Sequence, residues 1–384
     1  MVGRRRELGL SRGRADPVHP HRHVHPHPHG DDHDTAAVTG TASCPDPDPD
    51  PDPDPDRDEG SLVSFAALAV EKLVSAARGT RQGALLPGVD THVVRIWGDG
   101  VDVVVRTPRD LTGSAPDTYP AERWAAEHAA RHGVPTPPVL AYEPEFGEAP
   151  LMIVEHVTSL PSERDPWRDL GRLAAALAEV PLGARAAAVV GDDADLSGPD
   201  VTVPEVTVPD ALLTRFGRDL PEAWRRHLRY GLDSLVPGDR LLGLGVYAER
   251  QRGPLRAALE QLAVESADWR HGLVHGDLAP RNLVPRGADD PVLIDWGSAR
   301  TGPVPWLELD RVHRWSALDG IVGADELRRF ADGLGVDLDD SLPTLRRLAL
   351  LHHLDLVRWA LERRPDRLAR EVEEARRAIA RCLR

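Results

Sequence analysis

The spacing of apolar residues changes near Pro166, and this change divides most of the chain into two parts. Residues 85–157 contain short valine-rich runs separated by turn residues, a pattern typical of β-strands. After Pro166, apolar residues recur mainly every three or four positions, which is typical of amphipathic helices. We therefore predict an α+β protein with two lobes, a smaller strand-rich lobe followed by a larger, mainly helical one.

The predicted N-terminal lobe spans residues 61–157 and contains a small antiparallel sheet. Two strands are expected at 91–97 and 101–107, joined by a Gly-Asp-Gly turn that favours a tight hairpin. Helices are predicted at 61–79 and 119–133, with further strand-like segments at 134–145 and 149–157.

The predicted C-terminal lobe spans residues 158–384. A stretch rich in Gly, Asp, Pro and Val at about 191–207 is interpreted as a loop. The periodic segments predict helices at 167–180, 209–235 and 247–269, a short strand at 291–297, and more helices after it.

Residues 1–60 have the composition of a disordered tail. Six consecutive Pro-Asp pairs occupy residues 45–56, and alternating proline forms neither a helix nor a strand ladder. Seven histidines precede them, and histidine is a ligand for zinc, nickel or copper. Their spacing defines no coordination geometry, which favours low-complexity drift as the explanation.

Charge and cysteine content restrict the classes of function. A formal net charge of -15 disfavours nucleic acid or an anionic membrane surface as a partner, because either requires a basic face. No apolar run reaches the roughly 18 residues that span a bilayer. Cys44 and Cys382 lie near opposite ends without metal-ligand spacing, which favours a reducing compartment. We expect a globular, cytoplasmic protein.

Residues 275–284, HGDLAPRNLV, include the single asparagine of the chain, Asn282. Asp277 precedes it by five positions, and Asp295 follows it by thirteen, after a short apolar run. Phosphoryl transfer from a nucleotide requires a carboxylate that positions the acceptor and oxygen ligands for magnesium. Magnesium usually takes only one or two protein ligands. These three side chains supply that set of groups.

The order His-x-Asp-x4-Asn, then a strand ending in Asp-x-Gly, resembles the catalytic and metal loops of the protein-kinase-like fold. More narrowly, HGDLxxxN with DWG is similar to the aminoglycoside phosphotransferase family, which phosphorylates antibiotics and small hydroxylated metabolites. The resemblance covers about residues 80–375. It implies ATP and Mg²⁺ as cofactors and a small-molecule hydroxyl as the acceptor. Ala279, where protein kinases usually carry lysine, also favours a small-molecule acceptor.

By position, the resemblance implies that Asp277 orients the acceptor hydroxyl and accepts its proton, while Asn282 and Asp295 hold magnesium. His275 would lock the loop. Taken singly, these residues have simpler explanations as a loop histidine, turn formers and a strand-end cap. Their joint order and spacing favours the catalytic interpretation.

The resemblance also places the nucleotide in the N-terminal lobe. Gly88 would let the backbone approach a phosphate, although an ordinary hairpin turn explains it equally well. Arg106 stands where kinase-like enzymes keep a lysine that contacts the α and β phosphates, and it preserves the charge on a larger fork. Glu122 is the expected carboxylate partner of Arg106, with Glu127 second, and a solvated helix charge is the alternative for either.

Three further positions are interpreted through the same resemblance. The main chain from Glu155 to Val157 would form the interlobe hinge and pair with the edge of adenine. Asp310 matches an acidic position after DWG and is expected to brace the catalytic loop rather than bind the substrate. Ala178 replaces a histidine that relatives often carry, a departure that bears on stability.

The sequence leaves three functions open. The leading hypothesis is an ATP-dependent, magnesium-requiring phosphotransferase that acts on the hydroxyl of an undefined small molecule. A catalytically silent nucleotide-binding protein is favoured by Arg106 and opposed by the intact Asp277, Asn282 and Asp295. A metal-handling protein would be defined by the histidine-rich tail.

Overall fold

The computed structural model describes residues 59–74, 81–87, 91–109, 117–147, 149–182 and 207–384. Almost all of the predicted tail, the predicted loop around 191–207 and the candidate phosphate-loop residue Gly88 lie outside these ranges. Within the ranges, no helix combines the length and the apolar character needed to cross a membrane.

The N-terminal lobe is a five-stranded antiparallel sheet in the order β1-β2-β3-β5-β4. Its elements are α1 (Glu59–Leu73), β1 (Gln82–Leu86), β2 (Thr91–Gly98), β3 (Val101–Pro108), α2 (Tyr119–Arg131), β4 (Val139–Phe146) and β5 (Ala149–Glu155). The predicted antiparallel sheet is confirmed. The first strand, QGALL, is absent from the sequence prediction because its residues do not alternate between apolar and polar.

Alternation along β3 determines how Arg106 is presented. Val101, Val103 and Val105 are buried in an apolar cluster with α1, whereas the residues between them are only partly buried. Because successive side chains of a strand point to opposite faces, Arg106 lies on the face away from α1. The core beneath α1 therefore directs this arginine toward α2.

The C-terminal lobe is mainly helical, as predicted, and most of its buried side chains form one apolar cluster. Its helices are α3 (Pro166–Ala178), α4 (Leu220–Asp233), α5 (Arg240–Gly243), α6 (Glu249–Glu265), α7 (Trp306–Arg314), α8 (Ala324–Leu334), α9 (Leu338–Arg363) and α10 (Leu368–Cys382). Its strands are β6 (His271–Val274), β7 (Leu283–Arg286), β8 (Asp289–Leu293) and β9 (Arg300–Pro303).

The helix predicted at 209–235 is wrong in its first half. Asp210–Leu212 form only a short 3-10 turn, and α4 begins at Leu220. Gly217 adopts φ 131°, which no helix tolerates, and the Asp219 carboxylate then caps α4 by accepting a hydrogen bond from a backbone amide of its first turn. These local signals override the apolar spacing.

Two short antiparallel ribbons position residues 275–284 and Asp295 in the C-terminal lobe. β6 pairs with β9, and β7 pairs with β8. Asp277 and Asn282 therefore lie in the loop between β6 and β7, and Asp295 lies between β8 and β9. The Ile294 amide donates to the carbonyl of Asn282 at 2.9 Å, so the two loops are adjacent.

Candidate active site

The loop after β6 folds back so that Asn282 contacts Asp277. The Asn282 side-chain nitrogen donates to Asp277 Oδ2 at 2.7 Å and to the Asp277 carbonyl at 2.8 Å. A 3-10 turn over Pro280–Asn282 produces this reversal. Both side chains are buried. The spacing of five residues thus gives a carboxylate held in one orientation by a neutral amide.

His275 connects this loop to the strand that ends before Asp295. Its Nε2 lies 3.1 Å from the carbonyl of Ile294, and its Nδ1 accepts from the amide of Asp277 at 3.3 Å. A carbonyl only accepts, so Nε2 donates to Ile294, and Nδ1 is the acceptor for the amide of Asp277. These contacts fit the scaffolding role that the sequence predicts for His275.

Glu308, and not Asp310, braces the catalytic loop. Glu308 Oε1 accepts hydrogen bonds from the backbone amides of His275 at 2.5 Å and Gly276 at 3.1 Å. Asp310 instead accepts from Arg314 at 2.9 Å in a buried pair along α7. The expectation that Asp310 contacts the loop is therefore wrong. Both acids lie in the segment WLELD, and the sequence alone does not distinguish which of them faces the loop.

Arg106 bridges the two lobes. Its Nη1 pairs with Glu122 Oε1 on α2, and its Nη2 lies 3.3 Å from Asp295 Oδ1. Burial alone lowers the pKa of Arg106, but the carboxylates of Glu122 and Asp295 outweigh it and the net shift is upward. Glu127 pairs with Arg123 one helical turn away and makes no hydrogen bond or ion pair with Arg106 in the described part of the chain.

Two arginines that the sequence analysis did not single out lie beside Asp277. Arg281 Nη2 is 2.9 Å from both carboxylate oxygens, and Arg311 Nη2 is 4.0 Å from Oδ1. Both guanidinium groups lie over the ring of Trp315, at 5.9 and 4.8 Å from its centroid. Asp277 and Arg281 lie in a loop and not along a helix, so their spacing of four gave no signal for this contact.

The predicted hinge follows the last strand of the N-terminal sheet. Glu155 ends β5 and pairs with Val103, and its amide donates to the carbonyl of Pro138 at 3.0 Å. Val157 lies two residues beyond the strand and is partly buried. Contact of this segment with adenine stays a prediction.

The residues at the loop junction fit a magnesium ion. The side chain of Asp295 is 50% exposed. The backbone of the same residue lies in the left-handed region, with φ 64°. The Asn282 nitrogen is used by Asp277, so its Oδ1 is the atom that can serve as a ligand. Such a pair of oxygen donors is the chemistry that magnesium prefers.

A family model and solved structures match this chain. The chain matches the model of the phosphotransferase enzyme family over residues 84–351. Its fold is similar to that of aminoglycoside phosphotransferase APH(4)-Ia, with 18% identity, a TM-score of 0.51, and coverage of 83% of this chain and 99% of that chain. A thermostable mutant of that enzyme in a ternary complex with ADP and hygromycin B gives 17% identity, a TM-score of 0.51, and coverage of 84% and 98%.

A search of the curated proteins found no match to this sequence. The family model nevertheless covers more than half of the chain and extends well beyond the catalytic loop into both lobes. The chain therefore belongs to the phosphotransferase enzyme family.

Proposed function

We propose that the protein transfers the γ-phosphoryl group of ATP to a hydroxyl group of a small molecule. The observation that carries the proposal is the contact between Asp277 and Asn282, at 2.7 Å, beside the loop that holds Asp295. This arrangement joins a fixed base to the oxygen ligands that phosphoryl transfer requires. The ternary complex of APH(4)-Ia with ADP and hygromycin B supports a nucleotide and a small acceptor as the two substrates.

In this mechanism, Asp277 accepts the proton of the acceptor hydroxyl as the oxygen attacks the γ-phosphorus. Asn282 keeps the carboxylate in one orientation through its side-chain nitrogen. Arg106 contributes positive charge to the nucleotide phosphates and is itself positioned by Glu122. A magnesium ion held by Asn282 and Asp295 would neutralise charge on the phosphates.

The test measures ADP release by the full chain with ATP, Mg²⁺ and a panel of aminoglycosides, macrolides, amino alcohols, sugars and cyclic peptides. Asp277→Asn is expected to lower kcat by about 10²–10⁴-fold, because it removes the base, while ATP affinity stays close to wild type. Asp289→Asn, at an exposed acid on β8, is the matched control and keeps the wild-type rate. Full activity in Asp277→Asn would exclude this residue as the base.

A catalytically silent nucleotide-binding protein is the second candidate, and one contact favours it. Arg281 occupies both oxygens of Asp277, the atoms that an acceptor hydroxyl must reach. ATP binding without turnover of any acceptor, in both wild type and Arg281→Gly, would support this candidate. Turnover that appears only in Arg281→Gly would show that the ion pair restrains an otherwise competent base.

A further inference from the structure

A second group of potential metal ligands lies in the C-terminal lobe, between α9 and α10. It consists of His353 on α9 and of Glu371 and Glu374 on α10. Their relative exposures are only 3%, 2% and 9%. One ligand atom from each residue lies within 4.8 Å of the other two. The glutamates are three positions apart and therefore share one face of α10.

Several polar atoms of this group lack hydrogen-bond partners within the part of the chain that the structure describes. They are both ring nitrogens of His353 and Oε2 of Glu371. His353 Nδ1 is 3.9 Å from Glu374 Oε2, which is too long for a hydrogen bond. Buried polar atoms in native proteins are nearly always satisfied, so this concentration indicates a partner that the protein itself does not supply.

An arginine forms an ion pair with the Oε1 atom of each carboxylate. Arg370 Nε lies 3.0 Å from Glu374 Oε1, and Arg367 Nε lies 3.8 Å from Glu371 Oε1. The Oε2 atoms are left for the interior of the group. Metal-binding carboxylates are commonly oriented in this way by contacts to the oxygen that does not bind the metal.

The carboxylates of Glu371 and Glu374 face the unpartnered ring of His353 from one side of α10. The arginines lie at the Oε1 atoms, so the negative charge on the Oε2 atoms is directed into the group. A positive ion bound there would reduce the repulsion between the two carboxylates.

We propose that His353, Glu371 and Glu374 form a structural site for a divalent transition-metal ion, with zinc as the best match. One imidazole nitrogen with two carboxylate oxygens is a donor set that zinc accepts, whereas magnesium and calcium prefer oxygen alone. A tetrahedral zinc ion with bonds of about 2 Å holds its ligand atoms roughly 3.3 Å apart, so modest side-chain rotations are sufficient. The bound ion would crosslink α9 to α10, independently of phosphoryl transfer.

The test compares thermal unfolding of the chelator-treated full chain with and without ZnCl₂. Zinc is expected to raise the Tm of the wild type by on the order of 5 °C. Glu371→Gln and His353→Gln should lose this shift and bind one zinc equivalent fewer by isothermal titration calorimetry. Glu373→Gln is the matched control, because Glu373 lies on the same helix with its side chain 63% exposed. Zinc bound by the histidine-rich residues 1–60 is common to all variants and cancels.

Two results would overturn the proposal. One is an equal zinc-dependent rise in Tm for the wild type, Glu371→Gln and His353→Gln, which would assign the binding to other residues. The other is a wild-type Tm that does not respond to zinc. If Glu371→Gln is then more stable than the wild type, Glu371 and Glu374 share a proton, since glutamine mimics the protonated acid.

Discussion

At the scale of single residues, the chemistry of the site restricts the type of side chain most strongly at Asn282. Its nitrogen donates twice to Asp277, and its oxygen is left for a metal. A primary amide combines a donor and an acceptor on one uncharged group, whereas aspartate has no donor and arginine no acceptor. This requirement explains why a chain without any other asparagine keeps one here. It is also why sequence reasoning identified the pair Asp277 and Asn282 from residue types and spacing alone.

Asn282→Asp tests this requirement. The substitution places a second carboxylate 2.7 Å from Asp277, and like charges at that distance draw a proton into the pair. We expect kcat to fall by about 10²-fold or more, because the base is protonated and misoriented. Gln261→Glu, the same change of amide to acid at an exposed position of α6, should leave kcat unchanged. Steady-state kinetics that show equal rates for the two variants would contradict the argument.

The contact of Glu308 with the catalytic loop could not be predicted from the sequence. Glu308 and Asp310 are two positions apart, which on a helix places them about 200° apart, on nearly opposite faces. Both match the description of an acid after the metal loop, and the sequence does not define which face of α7 meets the catalytic loop. The structure selects Glu308, through its contacts with the amides of His275 and Gly276.

Glu308→Ala is expected to destabilise the protein by about 2–4 kcal/mol, because it leaves two buried amides without an acceptor. Glu308→Gln keeps an acceptor oxygen at the same place and should cost about 1 kcal/mol. Urea unfolding of the two variants measures the difference. Equal losses would mean that the negative charge of the carboxylate, which both variants remove, accounts for the effect rather than the two hydrogen bonds.

At the scale of elements, the apolar period predicted α3 but not its packing partner. Gly171 on α3 and Gly333 on α8 face each other at a close helix crossing. A Cβ atom added to Gly171 would lie 2.1 Å from the carbonyl oxygen of Phe330, and one added to Gly333 would lie 2.1 Å from that of Arg168. Periodicity identifies a buried face, but a contact between glycines of two distant segments leaves no periodic signal.

Gly171→Ala is expected to lower the free energy of unfolding by about 2–3 kcal/mol, because the helices must separate to admit the methyl group. In a helix without such a neighbour, the same change would stabilise the protein by roughly 0.5–1 kcal/mol. The sign of the change in unfolding free energy therefore shows whether α3 and α8 cross closely at Gly171. Gly243→Ala on α5 is the control, since its Cβ would meet no atom within 4 Å. Chemical denaturation should therefore show opposite or clearly unequal changes for the two variants.

At the scale of the whole molecule, one ionic contact connects the sheet of the N-terminal lobe to the metal loop of the C-terminal lobe. Arg106 comes from β3, Glu122 from α2 and Asp295 from the turn after β8. The two-lobed architecture was predictable from the change in apolar spacing, and the family match over residues 84–351 includes all three residues. The contact itself required the relative position of the lobes, which no local pattern contains.

Arg106→Ala tests how much depends on this contact. Glu122 is 5% exposed, and removing its cation leaves a buried carboxylate unpaired, which typically costs about 3–5 kcal/mol. The nucleotide phosphates lose the same positive charge, so the Kd for ATP should rise by about 10-fold or more. Arg106→Lys keeps the charge and should restore most of the stability.

Arg95→Ala breaks the partly exposed pair with Asp102 on the same sheet and should cost less than about 1 kcal/mol, with ATP affinity unchanged. If the losses measured by urea unfolding and by ATP titration were equal for Arg106→Ala and Arg95→Ala, the interlobe contact would be an ordinary surface ion pair.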